Sequence, residues 1–204
     1  EVERITNELL AAQLDRNAVL IGIGGGVVTD LVGFVAAIYK RGIACVLIPT
    51  TILAMVDAAI GGKNGINVGD FKNMIGTITQ PQHIIYDYQF LSTLREMQWA
   101  NGFAEIIKHA AIQDESMFAF LKTHDLVYFQ ENLSALDELI QANVAIKVKI
   151  IEEDPNEKGI RKLLNFGHTL AHAIEKKYNL LHGFAVSIGM VYAAKLSRQV
   201  LGFY

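Results

Sequence analysis

The sequence predicts an α/β half followed by an all-helical half, with the change near residue 96. Three observations carry this. Two short apolar runs, residues 18–23 and 44–48, read as buried parallel strands separated by one helical pattern. The first run ends in a glycine triplet and the second in Pro-Thr-Thr, the kind of strand end at which open α/β sheets hold ligands. Beyond Arg95 no strand pattern remains, and apolar residues recur at helical spacing to the end of the chain.

Taken in order, residues 2–14 have helical periodicity, and Ala18-Val19-Leu20-Ile21-Gly22-Ile23 follows as a strand. It runs into Gly24-Gly25-Gly26, after which Val27-Val28-Thr29-Asp30 opens a helix to about Tyr39. Glycines at such a turn let the backbone approach an anion, and the free N–H groups of the helix start can bind it. The spacing is not G-x-G-x-x-G, so this is not the usual dinucleotide fingerprint. The second strand, Ala44-Cys45-Val46-Leu47-Ile48, leads into Pro49-Thr50-Thr51 and then Asp57. Gly61-Gly62-Lys63-Asn64-Gly65 reads as a loop whose lysine can offer a compact charge to a phosphate. Lys72-Asn73 adds a second Lys-Asn pair, and residues 83–87 look like a last strand.

In the second half, residues 102–109 are helical and place Glu105 and Lys108 on one face. Residues 115–130 predict one or two short helices, and residues 133–153 a longer one carrying Lys147. A polar loop, residues 152–159, contains Glu157 and delivers the chain to Arg161. The stretch from Arg161 to Glu175 then reads as helix, with Arg161 and Asn165 four apart and His168 and His172 four apart. Two imidazoles on one helix face can form a divalent-metal site, or one ligand beside one proton carrier. A further histidine, His182, opens the last apolar helix.

Composition narrows the class. The chain has 204 residues, 51% of them apolar, enough for one or two domains with a sizeable core. A net charge of −3 argues against nucleic acid or an anionic membrane surface as the main partner. The single cysteine, Cys45, cannot form an internal disulfide, which fits a reducing cytoplasm. Apolar stretches are interrupted before they could span a bilayer, and no signal peptide, repeat or low-complexity segment is evident. The chain opens at Glu1 inside a helical pattern and stops at Tyr204 just after a long helix, so a fragment of a larger enzyme is expected.

Several motifs occur in a fixed order: Gly24-Gly25-Gly26 with Asp30, Tyr39-Lys40-Arg41-Gly42, Pro49-Thr50-Thr51 with Val56-Asp57, Gly61-Gly62-Lys63 and Lys72-Asn73. Ala104-Glu105-Ile106-Ile107-Lys108 follows, then Arg161, Asn165-Phe166-Gly167-His168, His172 and His182-Gly183. As a set they closely resemble the 3-dehydroquinate synthase family of sugar-phosphate cyclases, across nearly the whole chain. That resemblance implies a dehydroquinate synthase-like fold, with a partial Rossmann-like NAD-binding domain over 1–96 and a truncated helical metal- and substrate-binding domain over 97–204. It implies conversion of 3-deoxy-D-arabino-heptulosonate 7-phosphate to 3-dehydroquinate and phosphate, the second step of the shikimate route, with catalytic NAD and one divalent metal, Zn2+ or Co2+. Glu105, His168 and His182 are then expected as metal ligands and contacts of the substrate, His172 as proton carrier and Glu157 as a second acid/base. Lys63 and Asn73 are expected in the phosphate pocket, with Arg41 reaching it from the neighbouring subunit of a homodimer. Lys147, Arg161 and Asn165 are expected to anchor substrate, and Asp57, Asn101 and Lys108 to touch it. Gly25, Gly26, Asp30, Thr50, Thr51, Lys72 and Thr93 match contacts to NAD.

Two departures from the family pattern set further expectations. Phe184 stands where many members have glutamate, so the surroundings of His182 should lack a carboxylate. Ala58-Ala59 follow Asp57 where small hydroxyl residues are common. The family's N-terminal strands and a C-terminal phosphate-binding lysine are also absent, so the fragment is expected to bind NAD poorly and turn over slowly or not at all. A 2-deoxy-scyllo-inosose synthase type of cyclase is an alternative, disfavoured by Lys147 and Arg161, which suit a carboxylate. A metal-dependent polyol dehydrogenase is the other, disfavoured by Lys63, Asn73 and Arg161.

Overall fold

The computed structural model describes residues 1–69 and 71–202, with Phe71 and Lys72 described for their backbone alone. It divides into two units, Glu1–Thr93 and Leu94–Tyr204.

The first unit is built on a parallel sheet. Helix α1 (Val2–Ala11) precedes β1 (Val19–Gly24), which pairs in parallel with β2 (Ala44–Pro49), and β2 pairs in parallel with a two-residue β5 (His83–Ile84). Between β1 and β2 runs α2 (Gly26–Ile38), whose apolar face covers the sheet. Ala36, Cys45, Leu47 and Ala59 form that core, with Leu20, Val32, Ile43 and Ile84 packed around it. Burial pushes the Cys45 thiol pKa up, which leaves the thiol inert. On the other side α1 packs its Leu9 against Val35 and Tyr39, and the Tyr39 hydroxyl donates to the carbonyl oxygens of Leu9 (3.1 Å) and Leu14 (3.0 Å). Helix α2 ends in a left-handed turn, with positive φ at Lys40, Arg41 and Gly42, that sends the chain back along the sheet.

A second, antiparallel pair sits apart from that sheet: β3 (Lys63–Val68) and β4 (Phe71–Ile78) form a hairpin with a bulge between Ile66 and Val68. From the sequence alone the start of this region, residues 61–65, is expected as loop. Six of the sixteen positions from 63 to 78 are glycine or asparagine, which hides the alternation that marks strands. The hairpin is instead held from within: Asn64, buried, donates from Nδ2 to the carbonyls of Gly62 (3.0 Å) and Thr79 (3.1 Å). The expected last strand over 83–87 is reduced to His83–Ile84, because the chain leaves the sheet at Tyr86, whose hydroxyl donates to the Met55 carbonyl (3.0 Å).

The second unit is helical: α3 (Glu96–Gln113), α4 (Glu115–Thr123), α5 (Leu126–Glu131), α6 (Leu133–Glu153), α7 (His168–Tyr178) and α8 (His182–Leu201). The breaks are set by capping residues. Asp114, Asp125 and Asn132 each accept from a backbone N–H at the start of α4, α5 and α6. Phe103, Phe120 and Phe129 stack where α3, α4 and α5 meet. On α3, buried His109 places Nδ1 at 2.8 Å from Asn143 Oδ1 on α6, and Asn143 donates back to the Ile106 carbonyl (3.3 Å). The expected single helix over 161–175 is broken. Ile160–Asn165 is a 3-10 helix, Gly167 turns left-handed at φ +80°, and α7 starts only at His168. A 3-10 period of three residues per turn puts Arg161 and Asn165 on different faces.

Candidate functional site

Three helices of the second unit bring together the donors expected for a metal. Glu105 lies in the middle of α3 and is fully buried, while His168 and His182 are the first residues of α7 and α8. One ligand atom from each lies within 4.8 Å of the others. Their convergence depends on how close the backbones come. A Cβ on Gly183 would stand 2.0 Å from the Asn101 carbonyl oxygen, so only glycine lets α8 meet α3 there. Asn101 secures the junction, accepting from the Gly183 N–H at 2.7 Å. A Cβ on Gly189 would fall 1.9 Å from the Gly167 oxygen, which seats the start of α7 against α8. Ala171, Ala185, Val186 and Met190 close the core behind this seam.

Hydrogen bonding fixes which nitrogen of each ring faces inward. The His168 Nδ1 lies 3.2 Å from the Phe166 carbonyl, which can only accept, so Nδ1 carries the proton and Nε2 keeps its lone pair. That Nε2 stands 3.8 Å from Glu105 Oε1. Burial holds the His168 pKa below the ordinary histidine range, which favours the neutral ring. His182 repeats the arrangement, with Nδ1 at 3.3 Å from Glu175 Oε2 and Nε2 at 3.4 Å from Glu105 Oε1. The other Glu105 oxygen is paired with Lys108 on the same helix face.

The donor set fits a divalent ion. A carboxylate and two neutral imidazoles are the ligands of one common type of catalytic zinc site. Tetrahedral ligands at ~2.1 Å from an ion stand roughly 3.4 Å apart, close to the spacings here. His172 is outside this group: it is exposed, and its ring stands edge-on to His168 with centroids 5.5 Å apart.

Other candidates of this unit cluster along the segment before α7. The Asp154 carboxylate accepts backbone N–H groups from Lys158 (3.0 Å), Gly159 (2.6 Å) and Arg161 (3.1 Å), which holds its pKa below the usual value. This pins the loop, and Arg161, buried, donates to the Pro155 carbonyl (3.0 Å). Asn165, exposed, donates to Glu157 Oε1 (2.8 Å). Glu157 itself has positive φ, an uncommon conformation for this residue type. Lys147 is buried on α6. Asn101, expected to touch substrate, has its side-chain Oδ1 engaged with the Gly183 N–H of α8 and donates from Nδ2 to Gln98 Oε1.

In the first unit the candidates are spread over several elements. Gly25 caps α2, next to Gly26, at the carboxyl end of β1, and the Thr50 N–H donates to the Gly24 carbonyl (2.9 Å). Thr51 packs close to Gly25, and its Oγ1 accepts from the Ala54 N–H (3.2 Å). Asp30 is one turn into α2 and half-buried, and Asp57 sits in the π-helical turn Ala54–Ala58. Lys63 and Asn73 belong to the hairpin, both exposed, with Asn73 at positive φ and its N–H bonded to Asn67 Oδ1 (3.1 Å). Arg41 is exposed in the left-handed turn after α2, and Thr93 is exposed at the end of the unit. The side chain of Lys72 lies outside the described residues.

One residue of the site escaped the sequence reading. The sequence assigns Glu175 no role, and Phe184 leads it to expect no carboxylate beside His182; Glu175 supplies that carboxylate from α7. The signal was present, since Glu175 follows His168 by seven residues, two turns along the same helix face.

Comparison with known proteins shows the family of the chain. Residues 1–101 match the model of the 3-dehydroquinate synthase N-terminal domain, and residues 102–203 that of the C-terminal domain. A curated 3-dehydroquinate synthase from Saccharolobus solfataricus is 44% identical over 199 residues, which is 96% of this chain and 56% of that protein. The chain thus spans about half the length of the curated relatives it matches. Among solved structures, a 2-epi-5-epi-valiolone synthase from Streptomyces hygroscopicus with NAD+ and Zn2+ bound superposes with TM-score 0.86 at 34% identity, over 93% of this chain and 54% of that one. A 2-deoxy-scyllo-inosose synthase complexed with carbaglucose-6-phosphate, NAD+ and Co2+ gives TM-score 0.87 at 28% identity, over 98% and 55%.

Proposed function

Because the chain belongs to the 3-dehydroquinate synthase family, we propose that the full-length protein converts 3-deoxy-D-arabino-heptulosonate 7-phosphate to 3-dehydroquinate and phosphate. The observation that carries this reading is the donor set Glu105, His168 and His182, held on three helices with both imidazoles turned Nε2-inward. NAD would supply a reversible hydride acceptor and the divalent metal, Zn2+ or Co2+, a Lewis acid beside the ring oxygens.

The chain's own residues do the rest. His172, exposed one turn from His168, takes and returns the proton, with Glu157 as a second acid/base steadied by Asn165. Lys63 and Asn73 hold the phosphate, and Arg41 reaches the phosphate of the partner protomer in a homodimer. Lys147 and Arg161, both buried cations, match the substrate carboxylate, with Asn165, Lys108, Asp57 and Asn101 around its hydroxyls. Gly25, Gly26 and Asp30 at the start of α2, with Thr50, Thr51, Lys72 and Thr93, hold NAD. We place the protein in the cytoplasm, in keeping with its single cysteine, Cys45, a buried free thiol. Among the described residues no helix is long and apolar enough to cross a membrane.

Product analysis with the full-length protein tests the function. Incubated with the heptulosonate phosphate, NAD+ and zinc, it should release inorganic phosphate and 3-dehydroquinate in equal amounts with no net NADH. Accumulating NADH would identify a dehydrogenase, and turnover of glucose 6-phosphate in place of the heptulosonate would identify a different cyclase.

A further inference from the structure

We propose that Glu175 is the positioning residue of the metal centre: its carboxylate holds the Nδ1–H of His182, fixing the tautomer and aim of that ring so that Nε2 is presented to the ion. This rests on the metal reading of Glu105, His168 and His182.

The geometry sets His182 apart from His168. His168 is oriented by a backbone carbonyl two residues before it, a partner that no substitution removes. The partner of His182 is a side chain on a different helix, with Glu175 Oε2 at 3.3 Å. The Glu175 side chain is 14% exposed and that of His182 is 27% exposed, so the pair is shielded while the ring remains reachable. Backbone placement does not separate the two rings, since each is the first residue of its helix and neither N-cap, Gly167 or Leu181, offers a side-chain hydrogen bond; the difference lies in the Nδ1 partner. Phe184, two residues on, is apolar. A neutral imidazole free to choose would divide its proton between the two nitrogens. An anionic acceptor at Nδ1 selects the form with Nε2 unprotonated and makes that nitrogen a stronger donor to a cation. Removing such a partner typically lowers metal affinity by roughly 10- to 100-fold.

The test uses the full-length protein. Zinc affinity is measured by competition with a chromophoric chelator, for the parent, Glu175→Gln, Glu175→Asp, Glu175→Ala and His182→Ala. In parallel the His182 ring tautomer is read in the metal-free protein from its two ring 15N shifts. We expect Glu175→Ala to bind zinc about 10- to 100-fold more weakly. Glu175→Gln, which keeps shape and an acceptor oxygen but loses the charge, should fall between parent and alanine, and Glu175→Asp should recover part of the loss. The parent should show His182 with its proton on Nδ1, and Glu175→Ala a mixture of both tautomers. A merely structural role for Glu175 would leave the tautomer unchanged, and that result overturns the proposal, as does parent-like affinity in Glu175→Ala and Glu175→Gln. Failure of the underlying site is distinct: His182→Ala would then bind zinc as tightly as the parent, whatever the Glu175 variants do.

Discussion

At the scale of single residues, the two histidines four apart on α7 do different things although helix periodicity alone treats them alike. His168 opens the helix, half shielded, with Nδ1 tied to the Phe166 carbonyl and Nε2 turned to Glu105. His172 lies one turn on, exposed, outside the group of converging donors. In full-length enzyme, His168→Ala should lose both bound zinc and turnover. His172→Ala should keep most of its zinc yet turn over at least a hundredfold more slowly, in line with the usual worth of a general base. Elemental analysis after dialysis, run beside steady-state assays, separates the two; equal metal loss in both variants would make His172 a ligand. The residue types and spacing of His168, His172 and His182 were legible in the sequence. The Nδ1 partners of His168 and His182 were not, because one is a backbone carbonyl and the other a glutamate that looks like any solvated helix residue.

At the scale of elements, the helices were the readable part. Residues 133–153 were expected as one helix and form α6 over that same span, bounded by Asn132 and Asp154, residue types that favour helix ends. Strand β1 and helix α2 likewise follow the apolar run and the glycine turn. The β3–β4 hairpin was missed because its pairing is stabilised by Asn64 bonding to main chain, which leaves no apolar alternation to read. The break before α7 was missed because Gly167 was read as part of a helix rather than as its left-handed cap. What brings α8 to α3 is equally silent in a sequence: Gly183 is ordinary as a letter and indispensable as a space. Gly183→Ala should push the helices apart, since its Cβ would overlap the Asn101 carbonyl and strain the Asn101–Gly183 bond. We expect a loss of about 1–3 kcal/mol in stability, as for overpacked cores, together with weaker zinc binding. Denaturant melts and chelator competition on the same preparation check this, and a variant as stable as the parent with unchanged zinc affinity would contradict it.

For the molecule as a whole, the division near residue 94 separates two kinds of architecture. A parallel sheet with a glycine turn at the end of its first strand makes up one unit, and a helical bundle carrying the donors makes up the other. Both were foreseeable from the disappearance of strand patterns after Arg95. The convergence of positions 105, 168 and 182 was expected from the family resemblance alone, since nothing in periodicity says which helices meet. That convergence has a consequence for folding. An ion gripping all three side chains would act as a staple between remote points of the chain, present only when the bundle is assembled. The unfolded chain holds no such cage, so the ion adds its binding free energy to the folded side of the balance. At a free zinc concentration a hundred times the dissociation constant, this contributes about 2.7 kcal/mol. The melting temperature of the helical unit should then rise by on the order of 10 °C and fall back on adding a chelator. Calorimetry with and without zinc would record it, and in His182→Ala the rise should vanish.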